Sequence, residues 1–354
     1  MSPSPYRCFC CIIPPRMLRK LAESGTCSPE ERQQLLDQCE LSAQLRGQRV
    51  VYSLLMTNLS AGEKRRSIYD AHHQTTLPGK LQRDEGAPPG KDEAANQAYE
   101  HAGTTYDFFR SVLQRNSIDN KGLRIDSTVH FQKQFNNAFW NGQQLVYGDG
   151  DGKLFHGFTH AIDVVAHELS HGITQYAVPG GLVYEGQSGA LNESISDVMG
   201  SLVKQWQLKQ SVDQADWLIG ADIMTPSVGK ALRSLADPGN RALTWSGDEQ
   251  PKHMAGYLPD GDVHSNSGIP NHAFYTTAQA LKGYAWEKAG PIWYRALALL
   301  TPNASFADMA RATEQAALLL YGIDSPEQQT VRRAWQLVGV TVLPQQMPAA
   351  EPPA

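Results

Sequence analysis

Cysteine is absent from most of the chain, and its distribution sets the first residues apart from the remainder. The five cysteines of this 354-residue sequence all lie in its first 39 residues: Cys8, Cys10, Cys11, Cys27 and Cys39. An odd, clustered set makes a poor disulfide framework, and the cysteine-free remainder takes no stability from disulfides. We therefore interpret the N-terminal segment as a separate unit.

Long apolar runs are also missing. No stretch of about 18 apolar residues occurs, so we expect no membrane-spanning helix and no membrane partner. The first apolar run, Cys8 to Ile13, is shorter than the roughly 7–15 residues of a signal-peptide core, and Pro14 ends it. We expect no signal peptide and synthesis in the cytoplasm, followed by secretion through a leaderless route or, alternatively, by retention in the cytoplasm.

Neither sign of charge is in large excess. The 31 Lys and Arg residues against 36 Asp and Glu residues give a net charge of −5, which is too balanced for the broad basic field that nucleic-acid binding usually requires. With 41 % hydrophobic and 19 % charged residues, the chain has the composition of a globular protein. We expect a small-substrate enzyme with no nucleic-acid partner, and a monomer.

Local signals near the N-terminus predict two helices and a connection. Residues 16–24 predict a short helix that Gly25 stops, and residues 28–31 (Ser-Pro-Glu-Glu) are typical of the start of a second helix. Two short helices make a poor core of their own. The polar, dibasic stretch 61–66 is either a linker open to proteolysis or a solvated turn.

The remainder of the chain has clearer periodicity. Apolar residues at helical spacing predict helices over 91–116, over 158–177 and from Ala190 to Trp206, and alternation over 123–131 predicts a half-buried strand. The last third is helical by its start and stop signals, among them the N-terminal box of Ser305 with Asp308.

The strongest chemical signal is a pair of histidines four residues apart. His167 and His171 lie in the helix predicted over 158–177, so both imidazoles stand on one helix face, about 5–6 Å apart, and can bind one metal ion. Glu168 lies beside them, in a position to accept a proton from water held by the metal. Two surface histidines on a helix would give the same pattern, so a third ligand is needed to distinguish a metal site from a pair of surface histidines.

Downstream residues supply candidates for that ligand. A second metal-binding pattern would require Gly at position 174 and His at position 177, but Thr174 and Ala177 stand there and exclude it. Glu193 and Asp197 share a helix face at a spacing of four residues. One of these carboxylates can complete a two-His-one-Glu zinc site, and the other can accept the free N–H of a ligand histidine.

Five ordered motifs resemble the thermolysin family of zinc neutral metallopeptidases over roughly residues 66–343. The motifs are VVAHELSHGIT, GALNESISD, Asn136–Trp140, Ala231–Ser234 and Val263–Ile269. The leader, in which Cys11–Pro15 (CIIPP) precedes a short helix, resembles the short propeptide of the protealysin-type branch, whose precursors lack a signal peptide.

The resemblance implies an α+β fold with two peptidase domains, a β-rich N-terminal one and a mainly helical C-terminal one, with the zinc cleft between them. We expect a propeptide that acts as an intramolecular inhibitor. The expected boundaries are 1–60 for the propeptide, 61–185 for the β-rich domain with the HELSH helix, 186–344 for the helical domain and 345–354 for a disordered tail.

The resemblance also assigns roles at the metal. His167, His171 and Glu193 would hold one zinc ion and leave a fourth position for water. Glu168 would be the general base and later the proton donor, while zinc polarises the scissile carbonyl. Asp197 would fix the orientation of a ligand histidine.

Around the reacting bond the resemblance implies a second group of residues. Tyr184 and His264 would donate hydrogen bonds to the oxyanion, and Asp260 would orient His264. Asn137 and the backbone of Ala138 would hold the substrate as a strand added to a sheet edge.

The resemblance further implies the specificity of a zinc endopeptidase. Arg233 would bind a substrate carbonyl beyond the scissile bond. The pocket for the residue after that bond maps onto Phe155, Phe158, Val164, Ile219, Ile223 and Leu232. All six are apolar, so we expect hydrolysis before bulky hydrophobic residues. Without the resemblance, each of the six would be interpreted as a core residue.

The calcium ligands of the family are largely missing. Asp163 and Asp216 remain at the family's double calcium site. The other matching positions hold Lys204, Leu218 and Ala221, and a second calcium aspartate aligns with Lys230. Too few oxygen ligands remain for Ca²⁺. We hypothesise that the Lys204 ammonium pairs with Asp163 and Asp216 in place of the ion; the alternative is a surface lysine.

Two other functions remain open at this point. A zinc aminopeptidase would use the same His-Glu-His-Glu plan, but such enzymes carry a glutamate-bearing strand motif where this chain has residues 137–140 (Asn-Ala-Phe-Trp). An inactive zinc scaffold that binds peptides is opposed by the presence of Glu168, Tyr184 and His264.

The cysteines of the leader allow two interpretations. A thiolate is a good zinc ligand, so Cys8, Cys10 or Cys11 could displace the catalytic water and keep the precursor inactive. Alternatively, these cysteines are small buried hydrophobic residues where the leader docks.

Overall fold

A computed structural model of the chain describes residues 10–25, 27–52 and 63–341, without the side chains of residues 42–52. The expectations for Cys8 and for the tail 345–354 concern residues outside these ranges. None of the helices in the described part combines the length and the apolar character that crossing a membrane requires.

Strands are more numerous than helices in the N-terminal half of the described chain, and helices are more numerous in the C-terminal half. In the N-terminal half they are β1 (Cys10–Cys11), α1 (Pro15–Glu23), α2 (Pro29–Tyr52), β2 (Arg66–Asp70), β3 (Lys80–Asp84), α3 (Glu93–Val112), β4 (Ile125–Val129), β5 (Ala138–Trp140), β6 (Leu145–Tyr147) and α4 (Ile162–Ala177). In the C-terminal half they are α5 (Gly186–Leu208), β7 (Leu218–Ile219), β8 (Arg233–Ser234), α6 (Val263–Asn266), α7 (Gly268–Leu281), α8 (Ala289–Ala296), α9 (Phe306–Tyr321) and α10 (Pro326–Leu337).

One sheet of six strands joins the leader to the body of the protein. Its order is β1-β5-β6-β4-β2-β3, with β2 and β4 parallel, β4 and β6 parallel, and the other pairs antiparallel. Strand β1 belongs to the leader and lies on the outer side of β5, with Cys10 opposite Trp140 and Cys11 opposite Phe139. Without β1, strand β5 would be the edge of the described sheet and could accept an extended peptide.

Helices α4 and α5 pack closely against each other, and most residues of both helices are buried. Gly200 of α5 lies against the backbone of α4, where a Cβ atom would come within 2.5 Å of the Asp163 carbonyl oxygen. Only glycine permits this approach without displacement of the backbone. The close contact brings the middle of α5 beside the histidines of α4.

The C-terminal helices begin as their sequences indicate. Ser305 caps α9 in a capping box with Asp308, and Ser325 caps α10 immediately before Pro326. Both caps satisfy backbone N–H groups that a helix leaves unpaired at its start. The helices enclose Trp293 and Trp335, whose rings stack with centroids 6.2 Å apart.

The basic residues of the expected linker are part of the folded domain. Lys64 binds Asp107, with Nζ 2.7 Å from Oδ2, and Arg65 donates to the Gly122 carbonyl. Arg66 opens β2, is buried, and forms a two-pronged ion pair with Glu85. A proteolytic linker at these three residues is therefore contradicted, because cleavage there would require the start of β2 to unfold.

His130 joins three parts of the N-terminal half directly after β4. Its Nε2 lies 3.0 Å from Asp92, the N-cap of α3, and its Nδ1 lies 2.8 Å from Asp149. The hydrogen bond to Asp149 outweighs the opposing effect of burial and, with the contribution of Asp92, raises the pKa of His130 to about 9.

We predict that the stability contributed by His130 depends on pH. Because its pKa is higher in the folded than in the unfolded chain, the contribution is complete below pH 6.5, its ordinary pKa, and is lost as the pH rises through about 9. Thermal unfolding of His130→Gln should therefore differ most from wild type at low pH and converge with it above pH 9. The control is His160→Gln, at an exposed histidine; a pH-independent difference for His130→Gln would contradict the prediction.

Candidate metal centre and catalytic cleft

Helix α4 presents the two histidines on one face, as their spacing predicts. His167 and His171 are buried, and their Nε2 atoms lie 2.9 Å apart. The surface-histidine alternative is therefore excluded.

Glu193 of α5 faces both imidazoles. One carboxylate oxygen lies 3.4 Å from His167 Nε2, and the other lies 3.6 Å from His171 Nε2. Glu193 Oε2 is fully buried and makes no hydrogen bond among the described residues. Two imidazoles and a carboxylate are a usual donor set for catalytic zinc, and ligand bonds of about 2.0–2.1 Å in tetrahedral geometry imply separations of about 3.3 Å between donors. The three residues therefore fit the ion that their chemistry favours.

The other ring nitrogens are held by hydrogen bonds. His167 Nδ1 lies 2.9 Å from Asp197, and His171 Nδ1 lies 2.8 Å from Asn192. These bonds leave both Nε2 atoms directed at Glu193, and such partners fix the tautomer and orientation of metal ligands. The sequence prediction found Asp197 but missed Asn192, which has no distinctive spacing and is marked only by its place next to Glu193.

Asp197 is a fully buried carboxylate with three partners. Arg233 binds it with two nitrogens at 2.9 Å each, and Asn271 donates to it at 2.9 Å. Burial alone would raise its pKa, but the Arg233 charge and the His167 hydrogen bond outweigh burial and lower the pKa to about 2. Asp197 therefore stays ionised over the working range of pH.

Glu168 projects from α4 into the same cleft. Its Oε2 accepts a hydrogen bond from the Trp140 amide at 2.8 Å, while its Oε1 is buried without a hydrogen-bond partner in the described part of the chain. Burial, together with repulsion from Glu193, raises the pKa of Glu168 well above its ordinary value. A carboxyl group with a raised pKa can both take up and return a proton near neutral pH.

Tyr184 and His264 approach Glu193 from the opposite side. The Tyr184 hydroxyl donates to Glu193 and lies 3.4 Å from His264 Nε2, so the two candidate oxyanion donors are adjacent. Burial opposes the charge of His264, but the carboxylates of Glu193 and Asp262 outweigh burial and raise its pKa.

The aspartate that orients His264 is Asp262, which corrects the prediction of Asp260. Asp262 accepts hydrogen bonds from both the backbone N–H and Nδ1 of His264, the latter at 2.9 Å. It does so because it caps the short helix α6, which begins one residue later. Asp260 is exposed in the preceding turn. The signal for the correct residue was local, an aspartate two positions before the histidine at a helix start.

The leader lies in this cleft along the residues predicted to hold substrate. His264 Nε2 bonds the Cys11 carbonyl at 2.8 Å, and Arg233 donates to the Ile12 carbonyl at 3.0 Å. The Ile12 amide donates to the Ala138 carbonyl at 3.1 Å.

Asn137 completes this set of contacts with its side-chain amide. It accepts from the Ile13 amide at 3.0 Å and donates to the Ile13 carbonyl at 3.1 Å. Together, His264, Arg233, Ala138 and Asn137 therefore contact the backbone of three consecutive leader residues, Cys11–Ile13.

The predicted pocket is apolar and buried. Its six residues, at most 2 % exposed, are Phe155, Phe158, Val164, Ile219, Ile223 and Leu232. Ile12 is fully buried and belongs to the same hydrophobic cluster.

Lys204 lies between the two retained aspartates, as hypothesised. Its ammonium is 2.8 Å from Asp216 and 3.3 Å from Asp163, and it also donates to the Leu218 carbonyl at 3.2 Å. Lys204 is buried, which excludes the surface-lysine alternative. Burial would lower its pKa, but the two carboxylates outweigh burial and raise it, so the amine stays charged.

We predict that Lys204→Met destabilises the protein by about 3–5 kcal/mol, because Asp163 would remain buried without a cation. Asp163 is 1 % exposed and cannot turn to water without a change in the backbone. Urea unfolding measures the loss, and a double variant that also carries Asp163→Asn should recover most of it. Added calcium should not restore the single variant; unchanged stability of Lys204→Met would contradict the prediction.

Comparison with known proteins agrees with this geometry. Residues 40–175 match the model of the thermolysin metallopeptidase catalytic domain, and residues 180–340 match that of the thermolysin metallopeptidase alpha-helical domain. An extracellular metalloprotease of Pectobacterium carotovorum subsp. carotovorum is 46 % identical over 95 % of this chain and 98 % of its own length. A thermolysin of Alicyclobacillus acidocaldarius is 43 % identical over 77 % of this chain, which spans about half the length of that relative.

A solved structure extends the likeness to the leader. The precursor of protealysin, a metalloproteinase from Serratia proteamaculans, is 46 % identical, covers 94 % of this chain and all of its own, and superimposes with a TM-score of 0.81. The predicted family, two-part fold and proenzyme form are thereby confirmed. The chain belongs to the thermolysin family of metallopeptidases and is a zinc endopeptidase made as a proenzyme.

Proposed function

We propose that the cleft hydrolyses peptide bonds before bulky hydrophobic residues and that the leader, residues 1–60, blocks it until removal. The observation that supports both parts is the position of Cys11–Ile13, whose backbone is bound at each residue while the Ile12 side chain is buried. A substrate that took the same contacts would place its scissile bond where the Cys11–Ile12 bond lies.

In this proposal His167, His171 and Glu193 hold the zinc ion. Zinc, when bound, supplies a Lewis acid that makes a water molecule acidic and polarises the scissile carbonyl. Glu168 takes a proton from the attacking water and delivers it to the leaving nitrogen, because its carboxylate projects into the cleft beside both groups.

Charge that develops on the carbonyl oxygen is stabilised by two donors. His264 Nε2 already bonds the equivalent oxygen of Cys11, and the Tyr184 hydroxyl lies 3.4 Å from that nitrogen. Asp262 holds the ring of His264 so that Nε2 stays directed at the oxygen. Each such donor contributes about 10²–10³ in rate.

Specificity follows from the groups beyond the scissile bond. Arg233 is held rigid by Asp197 and binds the next carbonyl, so it sets the register of the peptide. The apolar pocket then accepts a bulky hydrophobic side chain, because a polar one would lose its hydration without a partner.

The leader is anchored outside the cleft by its two helices. Met17 and Leu18 of α1 are buried, and Lys20 pairs with Glu249 at 2.7 Å. Gln38 of α2 donates to the Gln134 carbonyl at 3.0 Å. We place the cut that releases the leader after α2, which ends at Tyr52, and before Lys64, which pairs with Asp107 of the peptidase body.

Further features of the proposal concern cofactors, partners and location. Lys204 replaces calcium at the double site, so zinc, held by His167, His171 and Glu193, is the metal that activity requires. Proteins or peptides are the substrates, and the active form is a monomer. Its relative from Pectobacterium is named as extracellular, which supports secretion of this chain.

Hydrolysis of one peptide in two forms tests the proposal against the aminopeptidase alternative. The mature protein should cleave both peptides before an internal leucine, and it should cleave the form with an acetylated N-terminus as fast as the form with a free amine. A zinc chelator should abolish both reactions. Activity on the free peptide alone would favour an aminopeptidase, and inactivity on both would favour the zinc scaffold.

A further inference from the structure

The leader brings one particular thiol to the metal centre. Cys10 and Cys11 form β1, and successive side chains of a strand point to opposite faces. Cys11 packs into a cluster with Phe131, Phe135 and Phe139. Cys10 is directed to the other face, where α4 and α5 meet.

Cys10 lies beside two of the proposed zinc ligands. Its Sγ, a ring nitrogen of His171 and a carboxylate oxygen of Glu193 all lie within 4.8 Å of one another, and all three residues are buried. Glu193 Oε2 makes no hydrogen bond in the described part of the chain. A soft sulfur donor, an imidazole nitrogen and a buried carboxylate oxygen within reach of one another are the chemistry of a zinc site.

We propose that the Cys10 thiolate is the fourth zinc ligand of the precursor. The inference rests on the proposed site of His167, His171 and Glu193 and adds a ligand that the active enzyme lacks. Binding releases the thiol proton and displaces one water molecule; on release of the leader the thiol regains a proton and water takes the vacated position. Catalytic zinc requires that position to be open.

This ligation would protect a peptide that is bound in substrate register. In the register proposed above, the Cys11–Ile12 bond takes the place of the scissile bond, with His264 on the Cys11 carbonyl and the Ile12 amide paired to Ala138. What the arrangement lacks is the nucleophile, because the sulfur occupies the place of the water that Glu168 would activate.

The other described leader cysteines have different surroundings. Cys39 Sγ lies 3.5 Å from the Pro15 carbonyl within the hydrophobic core, and Cys27 Sγ lies 3.5 Å from the Leu21 carbonyl. None of the described cysteines is in a disulfide. Cys11 and Cys39 therefore provide buried, matched controls for Cys10.

Cobalt substitution tests the inference with a readout independent of activity. Full-length protein that carries Glu168→Gln, which removes the proposed general base and with it any self-cleavage, is loaded with Co²⁺ in place of zinc. We expect the near-ultraviolet charge-transfer absorption of a cobalt–thiolate bond. Cys10→Ser should abolish this absorption, whereas Cys11→Ser and Cys39→Ser should retain it.

The outcomes distinguish a failure of the Cys10 ligand from a failure of the proposed zinc site. Visible cobalt absorption without the charge-transfer band would overturn the Cys10 ligand and leave the zinc site intact. A band that persists in Cys10→Ser would also overturn it and would point to Cys8. Failure of cobalt to bind at all would overturn the zinc site and the inference together. As a second measurement, Cys10→Ser should lose zinc to a competing chelator sooner than Cys11→Ser does.

Discussion

Replacing Glu168 with glutamine is expected to lower kcat/KM on a blocked peptide by about 10²–10⁴-fold, the usual contribution of a general acid–base group. Glutamine keeps the size of the side chain but neither accepts nor returns a proton. The side-chain amide oxygen of glutamine can accept the hydrogen bond that the Trp140 amide donates to Glu168 Oε2, so the fold should be preserved. Zinc content should stay at one ion per chain, because Glu168 is not among the proposed ligands.

Glu193→Gln is the matched control for this prediction. It makes the same chemical change one helix away, at a carboxylate within 3.4–3.6 Å of both histidines. We expect it to lose both activity and zinc, as measured by elemental analysis of the purified protein. If Glu168→Gln also lost zinc, or kept near wild-type activity, the division between metal ligand and proton carrier would be wrong.

The second large effect is expected at the leader. Ile12→Asp should release Cys11–Ile13 from the cleft, because a carboxylate buried in the hydrophobic core without a partner costs several kcal/mol. Ile12 is fully buried, so the carboxylate cannot reach water while the leader stays bound. In a Glu168→Gln background, which excludes self-cleavage, the intact precursor should then bind a substrate peptide measurably by calorimetry, whereas the same precursor with Ile12 should not.

Arg19→Asp provides the control for the charge itself. Arg19 lies on the exposed side of α1, seven residues from Ile12, and the change introduces the same carboxylate into solvent. This variant should remain closed to peptide. Peptide binding by the Arg19→Asp precursor, or a closed Ile12→Asp precursor, would contradict the role given to Ile12.

Features defined by local spacing were predictable from the sequence. The helix of His167 and His171 was expected over 158–177 and is observed as Ile162–Ala177. Their orientation on one face follows from helical periodicity. The second helix, from Gly186 to Leu208, likewise contains its expected range.

Features that depend on pairing between distant segments could not be predicted from the sequence. Strands β2 and β3 lie in a stretch without clear periodicity, because β2 is short and buried at four of its five residues, so alternation of polar and apolar residues is lost. The choice among the leader cysteines likewise depended on the pairing of β1 with β5. Only that register shows which thiol points to the metal centre.

The most direct test of the proposed endopeptidase activity is a map of the bonds that the mature protein cuts in an unfolded protein such as casein. Mass spectrometry of the products should show new N-termini at bulky hydrophobic residues, and these products should disappear with a zinc chelator and in Glu168→Gln. Cleavage without preference for the residue after the bond, stepwise loss of single N-terminal residues, or cleavage that persists in the chelator would contradict it.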